Sequence, residues 1–185
     1  QTTGITIRSN LSYLPCDENN LIYRAAALFF KETGKHCGIH ITLDKHIPVA
    51  AGLAGGSSDA AATLAALNEL CRTGLSLKEL QTLGVRLGAD VPYCLPQGAA
   101  LSTGIGECLM PLPAPPPAYC LIKKPPVSVS TKYVYEHLNL NTAPHPDIDA
   151  LLTAIQSGSL PDLSANLGNT LEYVTIPLNT EIAAI

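Results

Sequence analysis

A glycine-rich stretch in the first third of the chain constrains the fold more than any other feature. Residues 48–61 read PVAAGLAGGSSDAA, with three glycines and two adjacent serines and almost no side-chain bulk. An alternating apolar run, Gly38–Leu43, precedes the stretch, and a pattern rich in alanine and leucine follows it. A helix beginning at Ser57 or Ser58 would point its first N–H groups and its positive dipole end into this loop. The order of strand, glycines and helix therefore favours a phosphate-binding loop, and a flexible strand-to-helix connection is the alternative.

The loop differs from the two commonest phosphate-binding motifs. A Walker loop closes with Gly-Lys-Ser or Gly-Lys-Thr, whereas residues 48–61 contain no lysine, and the dinucleotide fingerprint spaces its glycines differently. The stretch resembles the central motif of the GHMP kinases, which phosphorylate small alcohols. Its double glycine before Ser-Ser-Asp-Ala-Ala is similar to the branch acting on 4-diphosphocytidyl-2-C-methyl-D-erythritol.

One position departs from that branch, because Ala54 stands where glycine is usual. If the backbone needs a positive φ there, alanine carries strain of about 1 kcal/mol. If it does not, alanine costs nothing, and the sequence leaves both cases open.

Composition excludes several classes of function. The net charge is −4 and the lysines are dispersed, which disfavours a nucleic-acid surface. No apolar run is long enough to span a bilayer. The six cysteines form no C-x-x-C pair and no zinc spacing, and several lie in apolar patterns typical of reduced core thiols. These features predict a reducing compartment and no membrane or nucleic-acid partner.

Strand and helix patterns alternate along the chain and predict an α+β fold. Asn20 is the expected cap of the first helix, Gly34 its expected stop, and Ser76 with Glu79 a capping box. The predicted strands cover residues 5–7, 39–43, 98–102 and 119–122, with a further apolar strand after the turn at 104–107. The predicted helices cover residues 21–32, the segment after the glycine loop, 76–88, 131–138 and segments from 147 onward.

The resemblance implies a more specific architecture. Residues 1–115 are expected to form a GHMP-kinase-like two-layer α/β sandwich that binds ATP and lacks its first strands. Residues 116–185 are expected to begin a ferredoxin-like C-terminal domain. The family's early Lys-x-Asn-Leu segment and its late Ser-Gly-x-Gly loop are absent from the sequence. We therefore expect a fragment with little or no activity by itself.

Asp90 is the candidate catalytic residue. It follows Gly88 and Ala89 at an expected helix-to-strand junction, and Pro92 fixes the chain beyond it. A carboxylate held there could accept a proton from a substrate hydroxyl during attack on a γ-phosphate, although capping or a turn also explains an isolated aspartate. The resemblance assigns Asp90 the role of the family's general base.

The resemblance also implies the residues that bind ATP and Mg²⁺. Ser58 is the expected Mg²⁺ ligand, and helix capping is the alternative role for both serines. Asn20 and Lys45 match segments lining the adenine cavity, with a helix cap and a solvated loop lysine as the alternatives. The full set of expected ATP-binding residues is Pro48, Ala50, Ala51, Gly52, Leu53, Ala54, Gly55, Gly56, Ser57, Ser58, Asn20 and Lys45.

Two residues are expected to bind the second substrate. Thr131 matches the segment that orients the cytidyl group, and Tyr135 is suited to stacking on the base. A helix-start hydroxyl and an ordinary half-buried tyrosine are the alternatives.

The expected reaction is ATP-dependent phosphorylation of the 2-hydroxyl of the cytidyl substrate, in a bacterial cytoplasm or a plastid stroma. Another GHMP small-alcohol kinase and a non-catalytic nucleotide-binding module are the alternatives.

Overall fold

The computed structural model describes residues 4–127 and 129–185, and the chain forms two compact units that divide between Pro111 and Leu112. The first unit contains strands and helices in alternation: β1 (Ile5–Ser9), α1 (Leu21–Thr33), β2 (Ile39–Leu43), α2 (Gly55–Leu70), α3 (Leu77–Val85), α4 (Val91–Cys94), β3 (Ala99–Thr103) and β4 (Cys108–Leu112), whose last residue crosses the division. The predicted α+β class is confirmed.

Two small sheets frame the first unit. Strands β1 and β2 pair in parallel, with Ile5 opposite Ile39 and Ser9 opposite Leu43, and α1 makes the crossover between them. Strands β3 and β4 form the second two-stranded sheet. The alternating pattern of β2 turns Ile39, Ile41 and Leu43 to the half-buried side.

The core of the first unit lies where α1 and α2 pack together. Phe29 of α1 and Leu64 of α2 are fully buried, and alanines on both helices are buried beside them. Because alanine adds so little bulk, the two helix backbones can approach closely. The remaining core residues are Ala25, Ala26, Ala60, Ala61, Leu67, Leu80, Leu83, Leu87 and Val91.

Three predicted helix boundaries agree with the structure, whereas α3 ends at Val85 and not at the expected Gly88. The Asn20 side chain accepts a hydrogen bond from the N–H of Ile22, and Gly34 adopts the left-handed conformation at φ 65°. Ser76 and Glu79 form the reciprocal capping box of α3, and these bonds hold the pKa of the Glu79 carboxyl below its usual range. Local sequence signals were sufficient at these positions.

The second unit is helical, and one predicted strand is wrong. Residues 119–122 have no regular secondary structure, and Tyr119 and Leu121 are almost fully exposed. A strand needs a partner for its backbone groups, and no other strand among the described residues pairs with this segment. The helices are α5 (Thr131–His137), α6 (Ile148–Ser157), α7 (Leu160–Ala165), α8 (Glu172–Leu178) and α9 (Thr180–Ala183). The ferredoxin-like assignment and the boundary at residue 115 stay predictions.

The cysteines are less buried than their apolar neighbours suggest. All six thiols are free, and Cys16, Cys37, Cys108 and Cys120 are exposed, so these four are not core residues. Cys71 is half-buried, and burial together with the neighbouring Cys37 thiol raises its pKa.

None of the helices within residues 4–127 and 129–185 combines the length and apolar character that crossing a membrane requires.

Candidate functional site

A cavity of about 400 Å³ lies beside the glycine loop in the first unit. The loop and the first residues of α1 and α2 enclose it. Ten of the twelve expected ATP-binding residues line this cavity, namely Asn20, Lys45, Pro48, Ala50, Ala51, Gly52, Leu53, Ala54, Gly55 and Gly56. The other lining residues, which were not among the expected ATP-binding residues, are Leu14, Pro15, Asn19, Leu21, Leu43, Val49 and Asp59.

The start of α2 leaves backbone N–H groups available at this cavity. The helix begins at Gly55, earlier than the expected start at Ser57 or Ser58, because the Ala54 carbonyl already accepts a bond from the N–H of Ser58 at 2.8 Å. Ala54 is the N-cap, and no side chain in the described part of the chain caps this helix. The first-turn N–H groups therefore remain free to bind an anion.

Ala54 adopts the left-handed conformation, with φ 50° and ψ 22°. This resolves the question that the sequence left open, because a non-glycine residue in this region carries strain of about 1 kcal/mol. The loop holds a second alanine in the same region, Ala50 at φ 53°. Backbone geometry at the loop is therefore maintained by surrounding contacts against local preference.

We predict that Ala54→Gly raises the free energy of unfolding by roughly 1 kcal/mol, since glycine adopts this conformation without strain. Ala65→Gly is the matched control, because Ala65 is exposed within regular α2. The control should lower the free energy of unfolding by roughly 1 kcal/mol. Urea denaturation measures both, and equal destabilisation by the two changes would contradict the strain at Ala54.

Lys45 is buried, so the alternative of a solvated loop lysine is wrong. Its Nζ donates a hydrogen bond to the Gly55 carbonyl at 2.7 Å and forms an ion pair with Asp59 Oδ2 at 2.5 Å. The backbone of Lys45 is held by Asn10, whose side-chain Oδ1 accepts from the Lys45 N–H at 2.8 Å. The sequence indicated neither the contact with Asn10 nor the ion pair with Asp59.

The two serines are the third and fourth residues of α2 and do not line the cavity. Both are half-buried, and the Ser58 hydroxyl donates to the Gly55 carbonyl at 2.9 Å. The oxygen lone pairs of Ser58 are still available to a cation. In the described residues, no group of three or more histidine, cysteine or acidic side chains could hold a metal ion.

The backbone at Asp90 is fixed by the residues that follow it in the chain. It is the N-cap residue of α4, so the expected helix-to-strand junction is wrong: a one-turn helix intervenes before β3. Val91 is fully buried in the α1–α2 core and anchors this segment. The Asp90 side chain is exposed and does not cap α4.

The turn between β3 and β4 packs against the Asp90 segment. A side chain at Gly106 would place its Cβ 3.0 Å from the Ala89 carbonyl oxygen, which explains the need for glycine at φ 117°. Cys94 follows Asp90 by four residues. Burial of the Cys94 thiol, together with the nearby Asp90 carboxylate, raises the pKa of this thiol. Asp90 is thus an exposed carboxylate on a fixed backbone, and it does not line the 400 Å³ cavity.

Thr131 and Tyr135 lie in the second unit, one turn apart on α5. Ser130 caps this helix by accepting a bond from the N–H of Tyr133, and Val134 is its buried residue. Both candidate residues are exposed, Tyr135 by 63%. The alternative of a half-buried tyrosine is therefore wrong.

Comparison with known proteins identifies similar chains. Residues 20–98 match the family model for the GHMP kinases N terminal domain. The chain is 57% identical over 182 residues to the 4-diphosphocytidyl-2-C-methyl-D-erythritol kinase of Lachnoclostridium phytofermentans, covering 98% of this chain and 62% of the relative. It is 50% identical to the kinase of the same name from Lachnospira eligens, covering 98% and 63%. The chain thus spans a little under two thirds of the length of these relatives.

Two solved structures share the fold. A crystal structure of a 4-(cytidine 5'-diphospho)-2C-methyl-D-erythritol kinase matches with a TM-score of 0.74 at 34% identity, covering 98% of this chain and 64% of the other. Homoserine kinase from Cytophaga hutchinsonii matches with a TM-score of 0.68 at 20% identity, covering 91% and 60%, which is a likeness of fold.

Proposed function

We propose that this chain belongs to the GHMP kinase family and is part of an ATP-dependent kinase that phosphorylates the 2-hydroxyl of 4-diphosphocytidyl-2-C-methyl-D-erythritol. The name of the relatives that are 57% and 50% identical to it supports this substrate. The products are the 2-phosphate of the substrate and ADP, a step of the non-mevalonate route to isoprenoids. We place this step in the cytoplasm.

The observation that carries the proposal is the uncapped start of α2 beside the glycine loop. Free N–H groups and the positive helix end favour an anion there, and the loop is small enough for phosphates to approach its backbone. The adjoining cavity of about 400 Å³ is of the size that holds small ligands. In this proposal the β- and γ-phosphates lie on the loop, and the adenosine lies toward Asn20.

Ser58 fits the Mg²⁺ that accompanies ATP. Magnesium prefers oxygen ligands and keeps several waters, so one protein hydroxyl beside the phosphates is a sufficient contribution. Because the Ser58 hydroxyl donates its hydrogen bond to the Gly55 carbonyl, its oxygen lone pairs can face a cation. When bound, Mg²⁺ neutralises charge that develops on the phosphate oxygens.

Asp90 acts as the general base in this proposal. It accepts the proton of the 2-hydroxyl as the hydroxyl oxygen attacks the γ-phosphorus of ATP. The bond between the γ-phosphorus and the oxygen that leaves with ADP then breaks. The exposed carboxylate caps no helix, which leaves its oxygens free for this proton. The buried Val91 and the packed Gly106 fix the backbone on which it stands. Thr131 and Tyr135 contact the cytidyl group of the substrate.

Hydrogen exchange tests the phosphate loop directly. We expect saturating MgATP to slow amide exchange across Pro48–Ser58 in the full-length protein, because the loop amides then bind phosphate oxygens. Helix α3 (Leu77–Val85) lies outside the proposed site and is the internal control, with no change expected. Bound nucleotide without slower exchange in Pro48–Ser58 would contradict the placement of the phosphates.

A further inference from the structure

The Lys45 side chain connects the two ends of the glycine loop. Strand β2 ends at Leu43 and α2 begins at Gly55, so residues 44–54 form the connection between them, and residues 46–54 of it lie between Lys45 and Gly55. Lys45 Nζ lies 2.7 Å from the Gly55 carbonyl oxygen, and this hydrogen bond closes the loop across its base. Tying the ends of a loop lowers the number of conformations that it samples.

The charge of Lys45 is already neutralised within the protein. Its Nζ pairs with Asp59 Oδ2 at 2.5 Å, and the side chains of Lys45 and Asp59 are only 6% and 21% exposed. Gly55 fits against this ammonium, since a Cβ at Gly55 would lie 2.9 Å from Nζ. The positive field at the loop therefore comes mainly from the free N–H groups at the start of α2. Lys45 contributes by holding the Gly55 carbonyl in place.

Asn10 extends this arrangement to the first strand. Its Nδ2 donates to the Lys45 carbonyl at 3.2 Å and its Oδ1 accepts from the Lys45 N–H at 2.8 Å. The Asn10 N–H also donates to the Leu43 carbonyl at 3.2 Å. Asn10 thus fixes the backbone of Lys45 from the end of β1, and it does not line the cavity.

We propose that Asn10, Lys45 and Asp59 are positioning residues for the phosphate loop. Asn10 fixes the Lys45 backbone, Lys45 holds the Gly55 carbonyl and so the first turn of α2, and Asp59 neutralises the buried ammonium. The inference rests on the proposed function, because it assigns these residues an effect on ATP binding. In this proposal Asn10 affects ATP binding only through Lys45. An experiment can distinguish this dependence from a general effect of Asn10 on the stability of the fold.

A double-mutant cycle in the full-length protein tests this relation. Lys45→Met keeps the length of the side chain and removes both polar contacts, and we expect it to raise KM for ATP by about tenfold to a hundredfold. Asn10→Ala should raise KM in the same direction. In the Lys45→Met background, Asn10→Ala should have no further effect on KM. Independent, multiplying effects or an unchanged KM in Asn10→Ala would overturn the proposal.

Conservative variants separate positioning from loss of folding. Asp59→Asn keeps an acceptor near Lys45 Nζ and should have a lower KM for ATP than Asp59→Ala, which leaves the buried ammonium with the Gly55 carbonyl as its remaining partner. If Asn10→Ala does not fold, Asn10→Asp replaces it, because the carboxylate still accepts from the Lys45 N–H but cannot donate to its carbonyl.

A measurement without nucleotide keeps the two proposals distinguishable. In the nucleotide-free protein, Lys45→Met should speed hydrogen exchange across residues 46–54 and leave α3 unchanged. If the wild-type protein binds no ATP, the proposed function fails, and this exchange measurement still tests whether Lys45 braces the loop. Unchanged exchange in Lys45→Met would overturn the inference even in an active kinase.

Discussion

Asp90→Asn in the full-length protein is expected to lower kcat by about 10²–10⁴-fold and to leave the affinity for MgATP unchanged. Asparagine has nearly the same shape as aspartate but cannot accept the proton of the attacking hydroxyl. The Asp90 side chain is exposed and caps no helix, so its replacement should not alter the free energy of unfolding. The measurement is steady-state turnover alongside calorimetric titration with MgATP.

Asp149→Asn is the matched control for this change. Asp149 is an exposed aspartate in the first turn of α6, outside the proposed site, so its kcat should equal that of the wild type. A wild-type kcat in Asp90→Asn would show that Asp90 is not the general base. An equal loss of kcat in both variants would show that removing any surface charge is sufficient.

Gly55→Ala is expected to lower the free energy of unfolding by about 1–3 kcal/mol and to weaken MgATP binding strongly. The added Cβ would lie 2.8 Å from Ile47 Cγ2 and 2.9 Å from Lys45 Nζ. Both distances are shorter than ordinary contacts, so Lys45 must move away from Gly55 and Asp59. The change therefore disturbs the start of α2 and the loop together.

Gly56→Ala is the neighbouring control. A Cβ at Gly56 would lie 3.5 Å from Leu21 Cδ1, which is an ordinary contact, and the position is within a helix. Alanine should therefore be neutral or raise the free energy of unfolding by up to about 1 kcal/mol. Thermal or urea denaturation compares the two, and equal stability of Gly55→Ala and Gly56→Ala would refute the tight packing at Gly55.

Local signals in the sequence were enough to predict several elements. Asn20 and Gly34 bound α1 because a capping side chain and a left-handed glycine each act within a few residues. The glycine loop was predicted for a similar reason, since a strand, small residues and a helix follow one another directly. Most of the expected ATP-binding residues line one cavity because they belong to this single continuous stretch.

Contacts between distant residues could not be predicted in this way. Asn10 and Lys45 lie thirty-five positions apart, and only the parallel register of β1 and β2 brings them together. The burial of Lys45 depends in turn on Asp59 and Gly55, so a loop lysine looked solvated from the sequence. The apolar run at 119–122 illustrates the opposite error, because its pattern is that of a strand but no described strand pairs with it.

The most direct test of the central claim is to identify the phosphorylated product by phosphorus NMR. The full-length protein is incubated with MgATP and 4-diphosphocytidyl-2-C-methyl-D-erythritol, with homoserine, mevalonate and galactose in parallel samples. We predict a new phosphomonoester at the 2-position of the cytidyl substrate and one ADP for each molecule of phosphomonoester formed. We expect no phosphorylated product from the other alcohols. Phosphorylation of another alcohol in its place, or ATP binding without phosphoryl transfer to the cytidyl substrate, would contradict the account.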